Sequence, residues 1–253
     1  MCFDLDSSPP IPVIAGAAVS HEDLVLEASD GNELAAFAAH PDQASSTGIV
    51  VLPDVRGLYH FYEELALRFA ERGFEAVAID YFGRTAGVEK RDDDFDYAEH
   101  TPLTRTSTVQ ADVGAGVAYL RDRGVTTIFT VGFCFGGRHS WLASAGGHGL
   151  AGAVGFYGSL LERNGEPGPI DRAAEMEGPI LALQAGDDQH ITADQNHAFA
   201  DALAAAGVDF ELITYDGAPH SFFDRKQTEF ADASEDAWSR VLEFVDKYGA
   251  ASD

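Results

Sequence analysis

The stretch Thr130-Val131-Gly132-Phe133-Cys134-Phe135-Gly136-Gly137 limits the possible folds of this chain more than any other. A β-branched run enters it and a helical run leaves it, so it reads as a strand passing into a helix through one tight turn. Glycine two residues before and two residues after Cys134 has a steric cause. A side chain at either position would crowd the close approach of strand and helix, which leaves Cys134 at the strand tip on a strained turn. The backbone N–H of the next residue, Phe135, then faces the place where an oxyanion would form. On its own the pattern also fits a small buried thiol beside a glycine-rich strand exit.

The rest of the chain supplies the context for such a turn. Gly48-Ile49-Val50-Val51-Leu52 is a short apolar run of the buried-strand kind. Tyr59–Glu71 carries Phe61, Leu65, Leu67 and Phe69 at helical spacing and stops before Gly73. Strands are expected at Phe74–Ile79, Thr126–Val131, Ala151–Phe156, Pro179–Gln184 and Phe210–Thr214. Helices are expected at Thr101–Arg123, Gly136–Ala145, Ala193–Ala206 and Gln227–Tyr248. Strands alternating with helices of this length predict an α/β fold, a mostly parallel, doubly wound sheet with helices on both faces. Asp23–Ala28 and Glu33–Ala39 flank Asp30-Gly31-Asn32 as a hairpin, which predicts an antiparallel edge. Residues 1–21, with Pro9, Pro10 and Pro12, read as an extended N-terminal arm, and 22–253 as one domain.

Composition excludes several classes of partner. The 253 residues carry 42 acidic against 16 basic side chains, and only Lys90, Lys226 and Lys247 are lysine. A net charge of −26 argues against nucleic acid and anionic membranes, which require a positive field. It suits either a protein kept soluble in concentrated salt or a well-solvated acidic surface. No apolar run approaches 18 residues, and the N-terminus has no basic segment followed by an apolar core. Two cysteines, Cys2 and Cys134, are too few for a disulfide framework or a metal cluster. The expectation is a cytoplasmic protein, monomer or small homo-oligomer, with no metal and no cofactor.

A thiol at a strand exit works as a nucleophile only beside a base, and the base needs an orienting carboxylate. Both follow in the chain. Ala185-Gly186-Asp187-Asp188-Gln189-His190-Ile191-Thr192 sets acids just beyond one strand, and Tyr215-Asp216-Gly217-Ala218-Pro219-His220-Ser221-Phe222-Phe223 sets a histidine beyond the last. The order nucleophile, acid, histidine, each at a strand exit, is that of a catalytic triad. His100, His139, His148 and His197 show no paired metal-ligand spacing.

Taken with Leu52-Pro53-Asp54-Val55-Arg56-Gly57, Ala78-Ile79-Asp80-Tyr81-Phe82-Gly83-Arg84 and Gly155-Phe156-Tyr157-Gly158, these segments resemble the dienelactone hydrolase family over residues 22 to 248. That family is a cysteine-using branch of the α/β-hydrolase fold. The resemblance implies Cys134 as nucleophile, His220 as base and Asp188, from the Gly-x-Asp pattern, as orienter. It implies an oxyanion hole from the N–H groups of Phe135 and Val55, and a thiol-activating carboxylate at Asp54, one methylene shorter than glutamate. Arginines are expected to hold a substrate carboxylate. Arg225 lies five residues past His220; Arg84, Arg91 and Arg105 compete for the second place, with Arg91 favoured, and Arg56 and Arg138 lie near the mouth. Tyr81, Tyr157 and Phe222 are expected to line the pocket. The reaction implied is opening of a small lactone or ester through a thioester. The alternatives are a general carboxylesterase or thioesterase and, in a different class, a non-catalytic binding protein on the same fold.

Overall fold

The computed structural model describes residues 7–17, 19–92, 94–223 and 229–249. Its frame is an eight-stranded sheet built from β1 (Val19–Glu27), β2 (Glu33–Pro41), β3 (Thr47–Leu52), β4 (Glu75–Ile79), β5 (Thr127–Phe133), β6 (Gly152–Phe156), β7 (Ile180–Ala185) and β8 (Phe210–Tyr215). The spatial order is β1-β2-β4-β3-β5-β6-β7-β8. β1, β2 and β4 pair antiparallel, and every pair from β4 to β8 is parallel. The expected antiparallel edge is therefore present, followed by a parallel run whose strand exits all lie along one edge. β3 to β7 are buried almost residue for residue, because helices cover both faces and leave no solvent side for polar alternation.

Around the sheet run α1 (His60–Ala70), α2 (Gly83–Ala86), α3 (Tyr97–His100), α4 (Thr106–Asp122), α5 (Phe135–Ser144), α6 (Pro169–Arg172), α7 (Ala193–Ala206) and α8 (Ala231–Gly249). One core, with Phe61, Phe69, Phe129, Phe133, Phe156 and Trp238, lies between the sheet and the face carrying α1 and α8. A second, with Val109, Val113, Val117 and Leu120 of α4, lies on the other side. The helix expected over Thr101–Arg123 is broken near its start. Thr101–Leu103 forms a single 3-10 turn, Arg105 is extended at φ −126° and ψ 149°, and only then does α4 begin. Pro102 can occupy a first turn but not the interior of a long helix, which accounts for the break. Residues 7–17 contain no helix or strand, although Ile11 packs into the first core, and β1 begins at Val19. No helix among the described residues is long and apolar enough to cross a membrane.

One ion-pair network fixes the segment after β4. Arg84 of α2 bonds Asp30 of the hairpin turn at 2.7 Å and Asp112 of α4 at 2.7 Å, and Asn32 adds a hydrogen bond to Asp112 at 3.1 Å. Asp112 is fully buried, and burial pushes its carboxyl up to about 6 although Arg84 acts in the opposite sense. The folded state therefore keeps this proton where the unfolded chain releases it. The stability it contributes is complete below about pH 4 and is lost as pH rises through about 6. Urea unfolding of the wild type and Asp112→Asn at about pH 4.5 and pH 7.5 should show the wild type losing about 2 kcal/mol relative to the variant across that interval. A difference that does not move with pH would contradict this account.

Candidate active site

The parallel strands deliver most of the candidate residues to one edge. Asp54, Val55 and Arg56 follow β3, Tyr81 follows β4, Cys134 follows β5, Tyr157 follows β6, Asp188 follows β7 and His220 follows β8. Ligands and catalytic groups gather at such carboxyl ends because the connections there are free to vary while the strands hold position.

Cys134 stands at φ 54° and ψ −108°, a left-handed conformation costly for a side chain with a Cβ. The close packing around it enforces that conformation. A Cβ on Gly132 would lie 2.1 Å from the Gly136 carbonyl oxygen, and one on Gly136 would lie 2.1 Å from the Leu52 carbonyl oxygen. Glycine at both positions lets the start of α5 sit against the exits of β3 and β5. Hydrogen bonds lock the turn: the Cys134 N–H donates to the Phe156 carbonyl at 3.0 Å, and the Arg138 N–H to the Cys134 carbonyl at 3.2 Å. Cys134 is half-buried.

His220 and Asp188 are paired, with His220 Nδ1 2.6 Å from Asp188 Oδ2. The other carboxylate oxygen, Oδ1, accepts the N–H groups of His190 at 2.8 Å and Ile191 at 3.2 Å. Burial works against the Asp188 charge, but the His220 interaction and these two N–H groups outweigh it and hold the carboxyl below its ordinary value. Asp187, its neighbour, is exposed, and its N–H donates to the Ala218 carbonyl at 2.9 Å. The His220 ring lies 5.0 Å from that of Tyr157, which has φ 37°, and Ser221 next to His220 has φ 64°.

Tyr81, Tyr157 and Phe222, expected to line a pocket, sit at this edge as buried side chains. Tyr81 is buried, donates its hydroxyl to the Pro53 carbonyl at 3.0 Å and packs 5.2 Å from the Phe135 ring. Burial raises its phenol well above the ordinary tyrosine value. Tyr157 and Phe222 are fully buried, with rings 5.6 Å apart. Val55 is half-buried in the loop after β3.

Asp54 is completely buried and bound by its near neighbour Arg56. The Arg56 N–H donates to Oδ1 at 2.8 Å, and Nη2 lies 3.2 Å from Oδ2. The Asp54 N–H in turn donates to the Tyr62 hydroxyl at 3.0 Å. Arg91 has a different setting from the one expected of it. Its guanidinium is engaged by Asp80 at 2.8 Å and by the carbonyls of Ala86 at 3.2 Å and Gly87 at 2.6 Å, with only 4% of the side chain exposed. It braces the segment after β4 from inside, so its placement does not meet the expectation that it receives a substrate carboxylate. Arg225 lies outside the described residues.

Sequence reasoning passed over Asp80, whose buried carboxylate accepts the N–H groups of Leu58 at 2.9 Å and Phe82 at 2.7 Å besides holding Arg91. The available signal was an acid directly after the buried run Ala76-Val77-Ala78-Ile79. Among the described residues, no group of three or more His, Cys, Asp or Glu side chains is arranged to hold a metal ion.

Over most of its length the chain is similar to proteins of one family. The model of the dienelactone hydrolase family matches residues 34–249. A carboxymethylenebutenolidase of Rhodococcus opacus is 28% identical over 259 residues, covering 98% of this chain and 97% of its own. A relative from Escherichia coli K12, provisionally named a carboxymethylenebutenolidase, is 30% identical over 236 residues, covering 87% of this chain and 85% of its own. The crystal structure of a provisionally assigned dienelactone hydrolase from Klebsiella pneumoniae superposes with a TM-score of 0.79 at 25% identity, covering 90% of this chain and 98% of that one. On these grounds the chain belongs to the dienelactone hydrolase family and is an α/β-hydrolase-fold enzyme acting on carboxylic ester or lactone bonds.

Proposed function

We propose that the chain opens a small lactone or ester through a thioester on Cys134. His220 Nε2 takes the thiol proton while Asp188 holds the other ring nitrogen and favours the imidazolium. The thiolate sulfur attacks the carbonyl carbon, and the oxyanion rests on the N–H groups of Phe135 and Val55. Collapse expels the ring or ester oxygen as alkoxide or enolate, which His220 protonates. Water, deprotonated by His220, then attacks the thioester and releases the acid and the thiol. Asp54, bound to Arg56, supplies a fixed negative charge near the loop after β3 and is the candidate for adjusting the thiol. Tyr81, Tyr157 and Phe222 form the apolar walls.

The observation that carries this reading is the 2.6 Å His220–Asp188 pair on the same sheet edge as a cysteine held at positive φ. The restraint of Arg91 by Asp80 favours a second reading of the substrate, a neutral ester or thioester rather than a carboxylated dienelactone. The high acidic charge and the scarcity of cysteine support a cytoplasmic enzyme without nucleic-acid partners, monomeric or a small homo-oligomer.

Steady-state hydrolysis of a dienelactone carboxylate and of a neutral aryl ester separates these readings. Cys134→Ala should lower kcat on both by about 10⁴-fold or more, and intact-mass analysis of the wild type during turnover should show an acyl adduct at Cys134. Undiminished turnover in Cys134→Ala would remove the mechanism. Turnover of the neutral ester alone would leave the mechanism and select the second substrate reading.

A separate measurement addresses the orienting carboxylate. Asp188→Asn keeps the side-chain shape but loses the charge, and should lower kcat by about 10³-fold with little change in KM. The corresponding change at its exposed neighbour, Asp187→Asn, should lie within about twofold of wild type. Equal losses from the two would mean that the acid has been wrongly chosen.

A further inference from the structure

In so acidic a chain, arginines without a carboxylate partner call for an account, and three of them lie together. Among the described residues, Arg72, Arg105, Arg121, Arg138 and Arg163 have no carboxylate oxygen within 4.0 Å, whereas the other arginines form ion pairs. Arg72 lies over the Trp238 ring and Arg121 bonds the His148 carbonyl. The remaining three line one cleft beside the candidate active site, together with Phe135, His139 and Glu166.

The cleft is built from three segments. Arg105 comes from the turn before α4, Arg138 and His139 from α5, and Arg163 from the loop between β6 and α6. That loop is a tight hairpin: Arg163 and Glu166 exchange both backbone hydrogen bonds at 3.0 Å, with Asn164 at φ 54° and Gly165 at φ 78°. Two successive left-handed residues of this kind, Asn then Gly, make a type I′ turn, which presents Arg163 at a set position. Glu166, the acid of the cleft, is committed elsewhere. Its Oε2 accepts the N–H of Thr106 at 2.9 Å and the hydroxyl of Thr106 at 3.0 Å at the start of α4.

Beneath these groups, Arg138 is buried with its guanidinium donating only to carbonyls, among them Pro167 at 3.0 Å and Ser159 at 3.4 Å. Its charge is thus held in place without being neutralised. His139 is 4% exposed, and its Nδ1 has no hydrogen-bond partner. Burial, aided by the Arg138 and Arg163 charges, pushes this imidazole down to about 3, so it stays neutral and can offer Nδ1–H. A buried ring nitrogen left unpaired is a costly feature unless something fills the place beside it.

We propose that this cleft is a binding subsite for a phosphate-class oxyanion, held by Arg105 and Arg163 at its mouth with His139 beneath. Guanidinium forks match the oxygen geometry of phosphate, and the retained charge of Arg138 makes the cleft locally positive within a negative molecule. The enclosed space is small, about 20 Å³ and little more than one water needs, so the anion is received at the mouth of the cleft, against the exposed Arg105 and Arg163. The anion is either a free ion or the anionic end of a substrate whose carbonyl lies at Cys134, since Phe135 belongs to both the cleft and the expected oxyanion hole. Binding itself does not depend on the thioester mechanism.

Titration calorimetry with inorganic phosphate at constant ionic strength tests the proposal. The wild type should bind one phosphate saturably, and Arg105→Gln/Arg163→Gln should weaken binding by about tenfold or more. Both side chains are exposed, so folding is retained and is checked by circular dichroism. The absence of saturable binding in the wild type, or equal affinity in the double variant, would overturn the site. Kinetics then identify the source of the anion. A KM that rises in the double variant only for an ester bearing a remote phosphate assigns the oxyanion to the substrate. A neutral-ester rate that responds to inorganic phosphate in the wild type alone assigns it to a free ion. Turnover surviving in Cys134→Ala would refute the mechanism without touching the calorimetric result.

Discussion

The whole site depends on how closely α5 approaches the exits of β3 and β5. Gly132 and Gly136 permit an approach that would bring any Cβ to about 2.1 Å from a carbonyl oxygen, and the strand-to-helix turn closes by forcing Cys134 to φ 54°. A residue held this way costs on the order of 1–3 kcal/mol and persists only where its surroundings determine it many times over. Here β5 is buried along its full length between β3 and β6, and hydrogen bonds to Phe156 and from Arg138 fix the turn on both sides. Tyr157 after β6 and Ser221 after β8 are also left-handed. Strain of this kind therefore gathers along the same edge as the proposed triad, while the strands beneath it are regular.

Charge is handled by the same separation of frame and edge. All but three of the 16 basic residues are arginine, and the buried acids rely on them: Asp54 on Arg56, Asp80 on Arg91, Asp112 on Arg84. A planar fork can satisfy both oxygens of a buried carboxylate and still reach a carbonyl, as Arg91 does with Gly87; a lysine ammonium offers no such geometry. Breaking such a pair would leave an uncompensated charge inside, so these arginines are not available to incoming anions. This is why the unpaired set at Arg105, Arg138 and Arg163 stands out.

Much of the frame was legible in the sequence because it rests on periodicity. The alternating apolar runs and the Asp30-Gly31-Asn32 hairpin match the observed strands and antiparallel edge, and the glycine spacing around Cys134 matches the observed turn. The break before α4 was legible in principle, since Pro102 marks it, but helical periodicity on either side concealed it. The roles of the arginines could not be read in this way. Arg91 and Arg105 look alike in the sequence, yet Arg91 folds back onto Asp80 while Arg105 stays at the mouth of a cleft formed by loops distant in the chain. Which charge an arginine meets is decided by tertiary packing, and a single sequence carries little signal of it.

The carboxylates show the same point more sharply. Asp54, Asp80 and Asp188 each follow a parallel strand on one edge of the sheet, and each accepts backbone N–H groups from the loop that follows. By position alone they are equivalent. Their partners differ: Asp54 and Asp80 face guanidinium groups, which stay charged and bind them permanently, whereas Asp188 faces an imidazole. Of these partners only the imidazole gains and loses a proton near neutral pH, which is what the proposed cycle of proton transfer requires. Similar acids on one edge are thus distinguished by the residue opposite each of them, and of the three partners the imidazole opposite Asp188 is the one that fits the proposed proton transfer.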